Sequence, residues 1–207
     1  MSDFQNNQSF FDNMGELATQ LRSSSKKYSL IFAHNGTGKT QLSVAFKNKG
    51  RNSSSEEDEK KRDTLYFNAY TEDLFTWDND LEYETDYYLK FNKQSHFFDG
   101  VDGNDMEGKI RPLFHRYVNV NFKIDVENSR ISFFKHEDDK KNIKISRGEE
   151  TVFIWCFFEA ILKMVVDEED RYKWVKFIYV DDPVSSLDDC HVIAIGSFLA
   201  QHVKKIE

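Results

Sequence analysis

The sequence predicts an α/β fold: a largely parallel central sheet carrying an antiparallel β-hairpin and a helical insertion. Three observations predict it. Short apolar runs of strand length are interleaved with longer segments of helical period. A glycine-rich turn joins one such run, Tyr28 to Ala33, to a helical segment starting at Lys39. Two further runs, Val118 to Asp125 and Arg130 to His136, flank Glu127-Asn128-Ser129, a turn of hairpin length.

The elements follow in order. Residues 8 to 22 place Phe10, Phe11, Met14, Leu17, Ala18 and Leu21 on one face, the spacing of an amphipathic helix. Ser23 to Lys27 breaks it, so residues 1–27 read as an N-terminal helix and linker, and 28–207 as the main domain. Tyr28 to Ala33 predicts a short buried strand, and Lys39 to Lys47 a helix. The polar, charged stretch 49–63 predicts a solvated loop. Leu65 to Ala69 predicts a strand, and the acidic, aromatic region 71–117 short helices. Thr151 to Val166 predicts a helix, Lys176 to Val180 a buried strand, and Asp188 to Lys204 a last helix.

Composition narrows the function classes. The 207 residues suit one domain, and 39 % hydrophobic residues are enough for a core. A net charge of −8 weighs against direct nucleic-acid binding through the general surface. Cys156 and Cys190 lack metal-ligand spacing and read as free thiols, which suits a reducing cytoplasm. The longest apolar run, Val152 to Val166, is too short for a membrane span and is interrupted by Glu159 and Lys163. The N-terminus lacks a secretory signal, so a cytoplasmic protein without a membrane partner is expected.

Four motifs carry the chemistry. Ala33-His34-Asn35-Gly36-Thr37-Gly38-Lys39-Thr40 fits the P-loop pattern, except that Ala33 replaces its first glycine. Small residues let backbone N–H groups from Asn35 to Thr40 turn toward phosphate oxygens, and the following helix adds its dipole. Lys39 would reach the β- and γ-phosphates, and the Thr40 hydroxyl would ligate Mg²⁺. Phe177-Ile178-Tyr179-Val180-Asp181-Asp182-Pro183 is an apolar strand ending in two acids, with Asp181 placed to hold Mg²⁺. Val184-Ser185-Ser186-Leu187-Asp188 follows directly, and its Ser or Asp also suits a helix N-cap. Ile145-Ser146-Arg147-Gly148-Glu149-Glu150 opens a helix with a hydroxyl and a glycine. Each of the last three is weak alone; their shared order and spacing is what makes them informative.

This set resembles the ABC ATPase superfamily, on the side of SMC and RecF rather than of the transporters. The strings IFAHNGTGKTQLS, LYFNAYTEDLFTWDNDLE, IKISRGEETVFIW and FIYVDDPVSSLDD are similar to the ATPase domains of the PrrC and RloC anticodon nucleases and related phage-defence ATPases. The similarity runs from about residue 28 to the end. The resemblance implies a P-loop NTPase fold and a nucleotide-dependent homodimer. ATP would be the substrate, with GTP left open, and Mg²⁺ the cofactor. It makes Lys39 and Asp182 catalytic, with Asp182 where the family usually has a water-polarising glutamate; the shorter side chain predicts slow turnover. Ser146, Gly148 and Glu149 become the signature offered to the nucleotide of the opposite subunit, and Ser186 and Asp188 belong to the D-loop at the dimer interface.

The implied role is control of an effector nuclease domain or subunit, with an indirect link to tRNA cleavage. The competing expectation is a switch or scaffold that binds nucleotide without hydrolysing it. Two family features have no clear counterpart. The Q-loop glutamine has only Asn68 or Glu72 as stand-ins, and the H-loop histidine would lie on a strand beyond Glu207, since His191 and His202 fall within the last helix. The domain is therefore expected to be truncated before that strand.

Overall fold

The computed structural model describes residues 11–34, 36–50, 63–68, 74–79, 87–92, 98, 103–136, 142–167, 170–181, 192–193 and 196–201. The α/β fold is present, with a parallel sheet, an antiparallel sheet and helices.

The first helix, α1 (Met14–Ser23), begins later than its apolar period suggests, because Asn13 is extended and its side chain accepts a bond from the Glu16 N–H at 3.0 Å. Its Met14, Leu17, Ala18 and Leu21 pack on Leu42 and Phe46 of α2 (Lys39–Lys49). Beneath them lies a two-stranded parallel sheet of β1 (Thr64–Asn68) and β6 (Phe177–Asp181), paired from Thr64 opposite Phe177 to Asn68 opposite Asp181. The period of two divides its side chains. Phe177 and Tyr179 join the α1–α2 cluster, whereas Leu65, Phe67, Ile178 and Val180 face the main core.

That core is organised on α4 (Arg147–Val166), which is apolar almost all round, as a helix buried on every side must be. Phe67 meets Trp155 and Phe158 of α4, tying it to the parallel sheet. Phe153 meets Phe114, Phe122 and Phe133, tying it to α3 (Gly103–Phe114) and to a four-stranded antiparallel sheet. The two polar interruptions of the apolar run answer each other: Glu159, 3 % exposed, is ion-paired with Lys163 one turn on at 3.1 Å. Cys156 is fully buried, and burial pushes its thiol up, away from the reactive thiolate.

The antiparallel sheet has the order β2 (Phe75–Asn79), β3 (Tyr87–Phe91), β5 (Arg130–Phe134), β4 (Asn121–Asp125). The expected hairpin is β4–β5, and Asp125 closes its turn by accepting from the Asn128 N–H at 3.0 Å and side-chain amide at 2.7 Å. Those bonds, with Arg130, hold the Asp125 carboxyl below the usual range.

Two expectations are corrected. Short helices were expected across 71–117, and α3 is one, but 75–79 and 87–91 are strands. Their alternation of buried Phe75, Leu89 and Phe91 with exposed Thr76 and Lys90, together with their aromatic content, favours a pleated surface over a helix. The expected buried strand Tyr28 to Ala33 is neither a strand nor buried: Leu30 is 96 % and Phe32 87 % exposed. A strand needs a hydrogen-bonded neighbour, and among the described residues β6 pairs only with β1. Residues 192–193 and 196–201 are helical where the last helix was expected, and Phe198 packs on Trp155.

Candidate functional site

The P-loop sits at the N-terminus of α2. Gly36 and Gly38 have φ of +82° and +94°, the left-handed region that glycine enters without a Cβ penalty. Gly38 is the N-cap and makes no side-chain cap bond, and a helix start of this kind suits an anion. A Cβ on Gly38 would also lie 2.7 Å from Met14 Cε, so α1 and the turn constrain each other. The Thr37 hydroxyl donates to the His34 carbonyl at 2.7 Å, closing the loop. The Lys39 ammonium folds back to the Ala33 carbonyl at 3.2 Å. Ala33 takes part through its backbone and is not at positive φ, so its backbone conformation does not call for the missing first glycine. Thr40 is exposed on the first turn of α2.

Asp181 ends β6 and is 7 % exposed. Strand pairing sets Asn68 opposite it and Tyr66 opposite Tyr179, all on the α2 side. The Tyr66 hydroxyl donates to Asp181 Oδ2 at 2.9 Å. The Asn68 amide donates to Tyr66 Oη at 3.1 Å and makes a longer 3.5 Å contact with the same carboxylate oxygen. From α2, Ser43 Oγ lies 3.3 Å from Tyr66 Oη and donates to the Thr40 carbonyl at 2.9 Å. The two phenols facing Asp181 are both pushed up. For Tyr179 burial comes first, then the Asp181 charge and Tyr66, to about 12. For Tyr66 burial and the Asp181 carboxylate outweigh the opposing bonds from Ser43 and Asn68.

The oxygen donors of this site suit Mg²⁺, a hard cation that is usually held by one or two protein oxygens together with water and phosphate. Both hydrogen bonds to the Asp181 carboxylate go to Oδ2, and Oδ1 receives none among the described residues. Those residues also hold no cluster of three His, Cys, Asp or Glu that would suit a different, protein-caged metal.

Ser146, Gly148 and Glu149 lie at the opposite kind of position, an exposed helix start. Ser146 and Glu149 form a capping box: the Ser146 hydroxyl accepts from the Glu149 N–H at 3.3 Å, and the Glu149 carboxylate accepts from the Ser146 N–H at 2.7 Å. Nothing lies within 4 Å of where a Cβ on Gly148 would be. Among the described residues, none of the hydrogen bonds of these three reaches the P-loop of the same chain. Asn35, Asp182, Ser186 and Asp188 lie outside the described residues, as do Glu72, His191 and His202.

Sequence reading brought Lys39, Thr40 and Asp181 to one region but missed Tyr66 and Ser43. The signal was there. Tyr66 is two residues before Asn68 on the same strand face, and Ser43 is one helical turn after Thr40.

Comparison with known proteins places these motifs. The AAA domain family matches residues 108–207. An anticodon nuclease of Escherichia coli is 34 % identical over 208 aligned positions, covering 87 % of this chain. The chain is thus similar to an anticodon nuclease over most of its own length, and to the AAA domain family over its C-terminal part. It spans about half, 52 %, of the length of that relative. No solved structure matches it. The expected resemblance to the anticodon nucleases therefore holds, and the matched region contains both the capping-box helix and the Asp181 strand. No helix among the described residues is long and apolar enough to cross a membrane.

Proposed function

We propose that this chain binds and hydrolyses ATP at sites shared between two copies, and that nucleotide state controls a tRNA-cleaving effector. The observation that carries this reading is the convergence of the uncapped α2 N-terminus, Lys39 and Thr40 with the Asp181 carboxylate across β1 and β6. An anion site beside a buried carboxylate suits a nucleotide triphosphate with its counter-cation, since neither charge alone would be neutralised there. Lys39 would leave the Ala33 carbonyl for the phosphates. Thr40 and Asp181 would hold Mg²⁺, which neutralises charge on the β- and γ-phosphates as the bond to the γ-phosphate breaks. Asp182 would orient the attacking water. Ser146, Gly148 and Glu149 would complete the site of a second copy, because that helix start lies at the surface and, among the described residues, none of its hydrogen bonds reaches the P-loop of its own chain. The tRNA link rests on the name of the Escherichia coli relative alone.

The test is nucleotide binding and turnover by Lys39→Ala. Loss of both is expected, and turnover equal to the parent would refute the reading. The second reading, a non-hydrolysing switch, is favoured by one observation, the aspartate at position 182, one methylene shorter than the glutamate usual at this place in the ABC ATPases that the motifs resemble. Comparing parent with Asp182→Asn separates the two: equal background rates select the switch, and a higher parent rate selects hydrolysis.

A further inference from the structure

We propose that Tyr66 is the positioning residue of the nucleotide site, joining the P-loop helix to the Asp181 carboxylate and fixing the direction in which that carboxylate presents its free oxygen. This deepens the ATPase reading and rests on it. The proton count supports the assignment. Tyr66 has one proton to give, and the Asp181 carboxylate at 2.9 Å is an acceptor only. Because the Tyr66 proton goes to Asp181, Ser43 is the donor at their 3.3 Å contact, and it shares its one proton between Tyr66 Oη and the Thr40 carbonyl at 2.9 Å. Asn68 supplies the bond that the phenolic oxygen accepts. The result is one directed chain: Asn68 to Tyr66 to Asp181, with Ser43 linking Tyr66 to the turn of α2 that bears Thr40.

The ring itself is held. The Lys47 ammonium lies 3.7 Å from the Tyr66 ring centroid, and the Tyr179 ring is 5.9 Å away. Ser43 is fully buried and Asp181 nearly so, while Tyr66 and Asn68 are half-buried, so the bonds at Ser43 and Asp181 are the ones best screened from competing water. With Oδ2 of Asp181 engaged by two donors, rotation of the carboxylate is restrained and Oδ1 keeps one orientation. Groups that orient a metal ligand in this way typically change metal affinity 10–100-fold when removed.

The experiment is titration of a fluorescent ATP analogue into the parent chain, Tyr66→Phe and Ser43→Ala, with excess EDTA and then over a series of Mg²⁺ concentrations, alongside thermal melts. Tyr66→Phe is expected to keep the melting temperature and the metal-free nucleotide affinity within twofold. It is expected to raise the Mg²⁺ concentration for half-maximal binding by about tenfold. Ser43→Ala is expected to shift it in the same direction by a smaller factor, and carries the test if Tyr66→Phe does not fold. An unmoved Mg²⁺ requirement in the folded variants, or equal losses with EDTA and with Mg²⁺, would overturn the proposal while leaving the ATPase reading intact. A parent chain that binds no nucleotide in either condition would overturn both.

Discussion

Arg22 is ion-paired to Asp63, and this pair fastens the N-terminal helix to the start of β1. The same guanidinium donates to the Phe46 carbonyl and the Thr64 hydroxyl, each at 3.2 Å. It also lies over the rings of Phe46 and Phe177, 4.9 and 4.3 Å from their centroids. The Asp63 carbonyl in turn accepts from the N–H groups of Lys176 and Phe177. One side chain of α1 therefore reaches α2, β1 and β6, and these four elements frame the candidate nucleotide site.

The first prediction concerns that hub. Arg22→Ala removes an ion pair whose side chains are 13 % and 20 % exposed, leaving Asp63 without its cation. Breaking a fully buried pair costs about 3–5 kcal/mol; the residual exposure here lowers the expected loss to about 2–3 kcal/mol. Arg22→Lys should recover only part, since an ammonium cannot fork to Asp63, Phe46 and Thr64 together. Urea melts of the three chains check this. A loss below about 0.5 kcal/mol in Arg22→Ala, the scale of an exposed pair, would show that α1 is held by apolar contact alone.

The second prediction is a pH dependence. Tyr179 is pushed up to about 12 and Tyr66 is also raised, against an ordinary value of 10.0. Their folded pKa values exceed the unfolded ones, so the neutral phenols contribute stability that is complete below pH 10. That contribution fades as pH rises toward 12. Tyrosinate absorbance of the native chain should show a late-titrating group of phenols among the nine tyrosines, with stability falling over the same interval. Phenylalanine at position 179 should remove part of the late phase. A single titration centred near pH 10 for all nine would contradict the burial of this face.

These residues also mark how far the sequence could be read. Motifs that depend on local geometry were legible, because phosphate binding dictates residue type at fixed spacing: Gly36, Gly38 and Lys39 announce the turn. The β4–β5 hairpin was legible for the same reason, its turn chemistry lying within four residues. What was not legible depends on partners distant in the chain. Tyr66 and Asp181 are 115 positions apart and meet only through strand register. The run Tyr28 to Ala33 looked like a strand by composition, but pairing is supplied by neighbours and not by the segment itself. In β2 and β3, the acidic residues around Trp77 and Tyr88 hid an alternation that the pairing of β2 with β3 and of β3 with β5 stabilises.

The third prediction separates two roles at the start of α4. Ser146 and Glu149 cap their helix reciprocally, and that alone accounts for a serine at this position. Ser146→Ala should therefore lower stability by about 1 kcal/mol whatever the chain does with nucleotide. Ser146→Asp keeps an N-cap acceptor and places a negative charge at the positive end of the helix, so its stability should equal or exceed that of the parent. If this helix start meets the γ-phosphate of a second copy, the same carboxylate would repel it. Light-scattering mass with ATP and Mg²⁺, in an Asp182→Asn background to suppress turnover, reads the difference. A nucleotide-dependent dimer is expected in that background and its loss in Ser146→Asp, with single-copy nucleotide affinity retained. A dimer that persists in Ser146→Asp would confine Ser146 to capping and assign the second half of the site to other residues.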